Sequence, residues 1–190
     1  MKKPGVWAAL SGLLLLAGGA VWAQAGSPGR VQIRYTLNRL NRIASNQIAV
    51  WIEGESGRYV KTLFATDFMA RKKGFLRRPQ CCPEWVQASG LAGMTDRQID
   101  AFSAATQKPG RITLIWDCTD SQGKPVPPGV YVYKIEGSIA WEKRVLWTGR
   151  ITVGKTPDSS EAKAQWLPED AQNAGVLVRE VSARFEPSGR

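Results

Sequence analysis

The chain has few side chains able to do chemistry, and one type is missing altogether: there is no histidine. Metal sites built on imidazole, Ser-His-Asp and Cys-His nucleophile systems and haem held by an axial histidine are therefore excluded. Ser103 has neither a histidine nor a lysine at the spacing of a catalytic base, so nothing activates it as a nucleophile. No two carboxylates form a recognisable acid–base pair. Asp117 and Asp120 fall in a turn-rich stretch and read as turn holders rather than metal ligands. An independent enzyme is not expected. Three cysteines, Cys81, Cys82 and Cys118, allow one disulfide with one thiol left over. A bridge from one of the adjacent pair to Cys118 is the expectation, its partner left open, with a redox pair of Cys81 and Cys82 as the alternative. There remains a hydroxyl-bearing segment, Asp100-Ala101-Phe102-Ser103-Ala104-Ala105-Thr106, with Lys108 and Arg111 just beyond it.

The elements that must position these residues begin with a leader. Met1-Lys2-Lys3 precedes an apolar run over residues 6–23 that contains four consecutive leucines, and Val21-Trp22-Ala23 and Ala23-Gln24-Ala25 supply small residues at its exit. This pattern predicts a secretory signal peptide over residues 1–23 and a periplasmic or secreted protein, in a compartment that permits disulfides. Its removal takes Lys2 and Lys3 from a net charge of +10. The remainder, residues 24–190, is expected to form a single domain. A hydrophobic content of 43% in a chain of 190 residues suits one packed core and argues against disorder. Alternating or β-rich runs at residues 32–37, 47–53, 58–64, 111–116, 130–135, 144–153 and 176–185 predict about seven strands, hence an all-β antiparallel sandwich. Gly54-Glu55-Ser56-Gly57 marks a hairpin between the second and third. Residues 67–110 form a long inserted loop in which Thr95 caps a short helix, and residues 154–175 read as a linker. An insertion of that length is more often functional than accidental.

The stretch Trp116-Asp117-Cys118-Thr119-Asp120, continuing through Gly123 and Pro127-Pro128-Gly129 to Tyr131, resembles a signature of Ig-like domains in secreted sandwiches, with Cys118 where that signature has glycine. The resemblance implies an Ig-like β-sandwich and says nothing of activity.

Residues 100–106 resemble the D-x-x-[ST]-G-A-[ST] sequence recognised by bacterial FAD:protein FMN transferase. The resemblance implies FMN joined through its phosphate to Thr106, with Asp100, Ser103, Ala104 and Ala105 completing the recognised segment. Such an acceptor needs an accessible hydroxyl and small neighbours, and Lys108 and Arg111 could offset the phosphate charge. Ala104 stands where the sequence usually has glycine. If that position needs a positive φ, alanine would cost about 1–2 kcal/mol. The plainer alternative is a short helix packing Ala101, Ala104 and Ala105 on the core.

With the opening Ala49-Val50-Trp51-Ile52-Glu53, the following Gly57 to Leu63 stretch and Pro83-Glu84-Trp85, these motifs resemble the secreted family called domain of unknown function 2271 over residues 31–153. That resemblance implies a flavin-carrying electron-transfer or redox-accessory protein. Its implied partners are FAD:protein FMN transferase and a PepSY-type membrane oxidoreductase. The alternative is a non-enzymatic Ig-like binding or assembly module. The basic run Arg71-Lys72-Lys73 with Arg77-Arg78 is read as a solvated loop, or as a contact for anionic membrane lipids or an acidic partner. Nucleic acid is not an expected partner of an exported chain without a binding motif. Trp51, Trp85, Trp116, Trp141, Trp147 and Trp166 are read chiefly as packing residues, with stacking on a flavin ring or a sugar as the functional alternative.

Overall fold

Alternation sets the first strand of the computed structural model, which describes residues 27–189; the expected leader over residues 1–23 lies outside them. In β1 (Gly29–Leu37), Val31, Ile33, Tyr35 and Leu37 point inward and are buried, while Arg30 and Arg34 point to solvent. The same period recurs in the last strand, β10 (Val178–Pro187), which lies antiparallel to β1 and buries Val181, Ala183 and Phe185 on the same side. With β5 (Gly110–Trp116) and β8 (Asp158–Glu161), these make a four-stranded sheet in the order β5-β1-β10-β8. Facing it is a six-stranded sheet in the order β4-β3-β2-β6-β7-β9. Its strands are β2 (Gln47–Gly54), β3 (Tyr59–Thr66), β4 (Ser103–Ala104), β6 (Gly129–Ala140), β7 (Lys143–Val153) and β9 (Lys163–Leu167). The protein is therefore an all-β sandwich, as expected.

Between the sheets lies an apolar core from Val31 and Ile33 on one side to Ile48, Val50, Ile135 and Ile151 on the other. Tyr133 lies flat over its cross-strand partner Gly149, where an added Cβ would come within 2.1 Å of the ring.

The turn between β5 and β6 carries the chain from one sheet to the other, and its residues act as the signature implies. Asp120 Oδ1 accepts the amides of Gln122 (2.8 Å) and Lys124 (2.9 Å), and Gly123 has φ +77°. The Trp116 indole donates to the Thr119 carbonyl at 2.8 Å and meets Tyr131 edge-on. Cys118 has φ +53°, so the position usually held by glycine keeps its left-handed backbone although it now carries a buried side chain.

The structure departs from expectation in three places. There are ten strands rather than about seven. β8 and β9 lie within 154–175, where a linker is expected, pairing with β10 and β7 respectively, and β4 adds two residues in parallel to β3. These are short edge strands held by backbone hydrogen bonds, with side chains largely in solvent, so they carry no apolar alternation. The 67–110 insertion contains three short helices, α1 (Gly74–Arg77), α2 (Pro83–Ser89) and α3 (Asp96–Asp100), which cover the outer face of the six-stranded sheet. Thr95 caps α3 with a complete capping box, accepting from Gln98 N while Gln98 accepts from Thr95 N. Finally, the expected disulfide is not formed: all three cysteines are free and buried. Cys118 sits in the core between the sheets, whereas Cys81 and Cys82 sit under the helical layer. The six-stranded sheet separates them, so neither can reach Cys118.

Candidate functional site

The segment 100–106 starts at the end of α3 and becomes the edge strand β4. Its backbone is stitched to β3 by Ala65 N donating to the Phe102 carbonyl (3.1 Å) and Asp67 N donating to the Ala104 carbonyl (2.8 Å). Phe102 anchors it inward, edge-on to the buried Trp85 ring at 5.9 Å. Arg71 ties down two of the predicted site residues: its guanidinium pairs with Asp100 at 2.9 Å and donates to Ser103 Oγ at 3.5 Å. A second ion pair joins Arg71 to Asp67 at 3.3 Å. Gln107 pins the far side by accepting from the Tyr35 hydroxyl at 2.5 Å. Between these anchors Ala104, Ala105 and Thr106 are exposed.

The structure thus brings Asp100 and Ser103 together on Arg71 and leaves Thr106 free beyond them. The alternative of a helix packing Ala101, Ala104 and Ala105 on the core does not hold, because α3 ends at Asp100 and all three alanines are exposed. Ala104 lies in a strand and has no positive φ, so the glycine-to-alanine difference carries no backbone strain. Lys108 and Arg111 are exposed nearby, and Arg39 shares with Thr106 a dimple of about 10 Å³.

A second cluster lies beneath the helical layer. Glu136 on β6 is fully buried. One carboxylate oxygen accepts the Trp85 amide at 3.0 Å, and the other faces Arg144 Nε at 3.1 Å. Burial pushes its carboxyl up to about 7, against the pull of the Trp85 N–H and the Arg144 charge. Alongside stand the adjacent thiols. Cys81 Sγ lies 2.9 Å and Cys82 Sγ 3.9 Å from Ser138 Oγ, and the Arg78 guanidinium is 3.5 Å from Cys81 Sγ. The hydrogen bond from Cys82, with help from Ser138 and Arg78, draws Cys81 down to about 7 despite burial, while Cys82 is pushed up. Cys82 is held at φ +50° as the residue before α2. Both thiols are shielded from solvent, so in this conformation they meet no external partner.

Arg71, Glu136, Arg144 and Ser138 could not be singled out from sequence. Arg71 lies 29 positions before Asp100 inside a run of cations. The others sit in strand segments whose period is read from their apolar neighbours. Of the tryptophans, Trp51, Trp85 and Trp116 are buried, Trp147 and Trp166 pack against the core, and Trp141 is exposed. A cleft of about 580 Å³ lies between the β2–β3 hairpin and the β5–β6 turn, and one of about 420 Å³ lies over Tyr59, Thr62, Met94 and Phe102. Neither borders Thr106, and no tryptophan lines either. Among the described residues no group of three or more His, Cys, Asp or Glu could hold a metal ion, and no helix is long and apolar enough to cross a membrane.

The fold and its covered sheet define an all-β sandwich with a helical layer over one face, presenting an exposed hydroxyl segment at a sheet edge. The chain belongs to the domain of unknown function 2271 family, described as predicted periplasmic proteins, whose profile matches residues 30–166. No curated protein and no solved structure matches it.

Proposed function

We propose that this periplasmic protein is a flavin carrier, with FMN held as a phosphoester on Thr106. The observation that supports this reading is the construction of residues 100–106, anchored through Asp100, Phe102, Ser103 and Gln107 with the acceptor hydroxyl exposed between the anchors. A modifying enzyme needs a hydroxyl it can enclose without unfolding the domain. Ala104 and Ala105 leave room for that approach. In the reaction Thr106 Oγ attacks the FMN-side phosphorus of FAD, the bond to the AMP phosphate breaks, AMP leaves and the hydroxyl proton is lost. FAD:protein FMN transferase is the catalyst this requires. Arg39, which borders the same dimple as Thr106, and Lys108, two residues further along the chain, supply positive charge that suits the phosphodiester formed.

Bound FMN supplies one- and two-electron chemistry that the polypeptide lacks. With no enclosing cavity at Thr106, the ring would stand at the surface, which suits exchange of electrons with a membrane oxidoreductase of the PepSY type. The test is intact mass and visible absorption of the protein recovered from a periplasm that contains the transferase. The expected result is one added FMN and a flavin spectrum, both absent in Thr106→Ala. An unmodified, colourless protein from a periplasm with demonstrated transferase activity overturns the reading in favour of a binding or assembly module.

A further inference from the structure

The described residues expose four large apolar side chains, and three stand at one end of the molecule: Ile43 (75% exposed), Leu76 (66%) and Trp141 (53%). They come from three separate connections, β1–β2, β3–α2 and β6–β7, which hydrogen bonds hold side by side. Asn46 N donates to the Ser138 carbonyl at 3.0 Å, placing the β1–β2 loop beside the β6–β7 hairpin. Arg78 Nη2 donates to the Ala44 carbonyl at 2.5 Å, tying the same loop to the α1 segment. Trp141 occupies a turn position with φ +28°, where glycine or asparagine would fold more easily, so turn formation does not explain its presence. Ile115, the fourth, lies away from this end on the four-stranded sheet.

Positive charge surrounds the three prongs. Arg39, Arg42, Lys73 and Arg77 have no carboxylate partner among the described residues. The acids at this end are largely engaged, Asp67 by Arg71 and Lys72 and Asp170 by Lys143, leaving Glu142 and Glu169. At the opposite end Arg150–Glu55, Lys61–Asp117 and Arg30–Glu186 are ion pairs, while Arg58, Lys124 and Lys155 are exposed without a carboxylate partner among the described residues and stand beside no exposed large apolar side chain of a loop.

We propose that this end seats on an anionic lipid bilayer, with Ile43, Leu76 and Trp141 entering the headgroup boundary and Arg39, Arg42, Lys73 and Arg77 lying over the lipid phosphates. Separate apolar tips on three loops, with unpaired cations beside Ile43 and Leu76, do not make the continuous apolar patch of a protein interface. A fluid bilayer accepts such tips one by one, and an indole favours its interface. Thr106 and Lys108 lie at this same end, so docking would bring the loop that carries Thr106 to the membrane surface. The proposal does not depend on Thr106 being modified.

The test is sedimentation of the unmodified protein, purified from periplasm, with vesicles of phosphatidylglycerol and with vesicles of phosphatidylcholine. Binding is expected on phosphatidylglycerol alone, weakening as salt rises, with a blue shift of tryptophan emission. Combined Arg42→Glu and Arg77→Glu should weaken it about twenty-five-fold or more, at roughly fivefold or more for each site reversed. Ile43→Ser with Leu76→Ser should weaken it about tenfold, and Trp141→Ser should remove the blue shift, each with an unchanged melting temperature. Ile115→Ser should bind as wild type. Absence of binding at low salt overturns the proposal. So does binding that survives loss of all three apolar tips, which would mean nonspecific charge attraction.

Discussion

Strand β2 is buried on both faces, and the chemistry of the two faces differs. Inward, Ile48, Val50 and Ile52 meet apolar side chains of the facing sheet. Outward, Ala49, Trp51 and Glu53 meet a layer with polar groups inside it: Trp51 Nε1 donates to Glu53 at 2.7 Å, Lys134 pairs with Glu53 at 2.9 Å, and Glu136 faces Arg144 two residues along β6 from Lys134. The inner face needs only volume and period. The outer face must also place partners beside its buried charges, which fixes the position of the helical layer: Trp85 hydrogen-bonds one oxygen of Glu136, while Arg144 meets the other as an ion pair without an aligned hydrogen bond. The Trp85 amide on Glu136 and the Trp85 indole on Thr62 Oγ1 set that position, and Phe102 packs on the same Trp85. The polar face thereby locates the segment that ends at Thr106.

The largest effect should come from the inner face. Phe185→Ala removes a fully buried ring and is expected to cost about 4 kcal/mol, read as a fall in the urea midpoint at unchanged m. A near-neutral result would show that this core repacks freely and would erase the contrast between the faces.

On the outer face the effect should depend on pH. Glu136 is raised from 4.5 to about 7 in the folded protein, so over that interval the native state holds a proton that the unfolded chain has lost. Its contribution is fully present below about pH 4.5 and is lost as pH rises through 7, on the order of 3 kcal/mol in all. Glu136→Gln should flatten stability between pH 5 and pH 8 in urea titrations (window from the same shift). Arg144→Met should then cost about 3 kcal/mol at pH 8, where it strands a buried carboxylate, and much less at pH 5, where the carboxyl is neutral. A loss independent of pH would show that Arg144 acts through packing alone.

The two thiol locations offer a further contrast. Unfolding in denaturant without reductant should expose three titratable thiols per chain, and a single one would mean that one disulfide forms in the periplasm, its pairing to be read from peptide mapping. The smallest effect is expected at Ala104. Its backbone has no positive φ, so Ala104→Gly should change stability by only about 0.5–1 kcal/mol in the unfavourable direction. Any gain in FMN transfer would then come from closer approach of the enzyme rather than from relief of strain.

The seven strands read from alternating or β-rich runs are all present, shifted by a few residues at their ends, because a buried face imposes a period of two on most of them and β2, buried on both faces, reads as an unbroken β-rich run. The turn after Trp116 was equally legible, since Asp120 and Gly123 do local work that needs no distant partner. β8 and β9 were not legible. Backbone pairing at a sheet edge holds them, and Ser159 and Lys163 record nothing of it. The disulfide expectation failed for a related reason: spacing says which cysteines exist but not that a sheet lies between them.

For the site the division is sharper. Sequence alone determined the chemical inventory: no histidine, an exported basic chain, and a short run of acid, hydroxyl and alanine residues ending in Thr106. Those are properties of residue types and near neighbours. Tertiary structure decided that Thr106 is exposed while Gln107 is pinned, that Arg71 holds Asp100 and Ser103, and that Ile43, Leu76 and Trp141 share one end. Each joins residues tens of positions apart, and only the packing of one element on another brings such residues within reach.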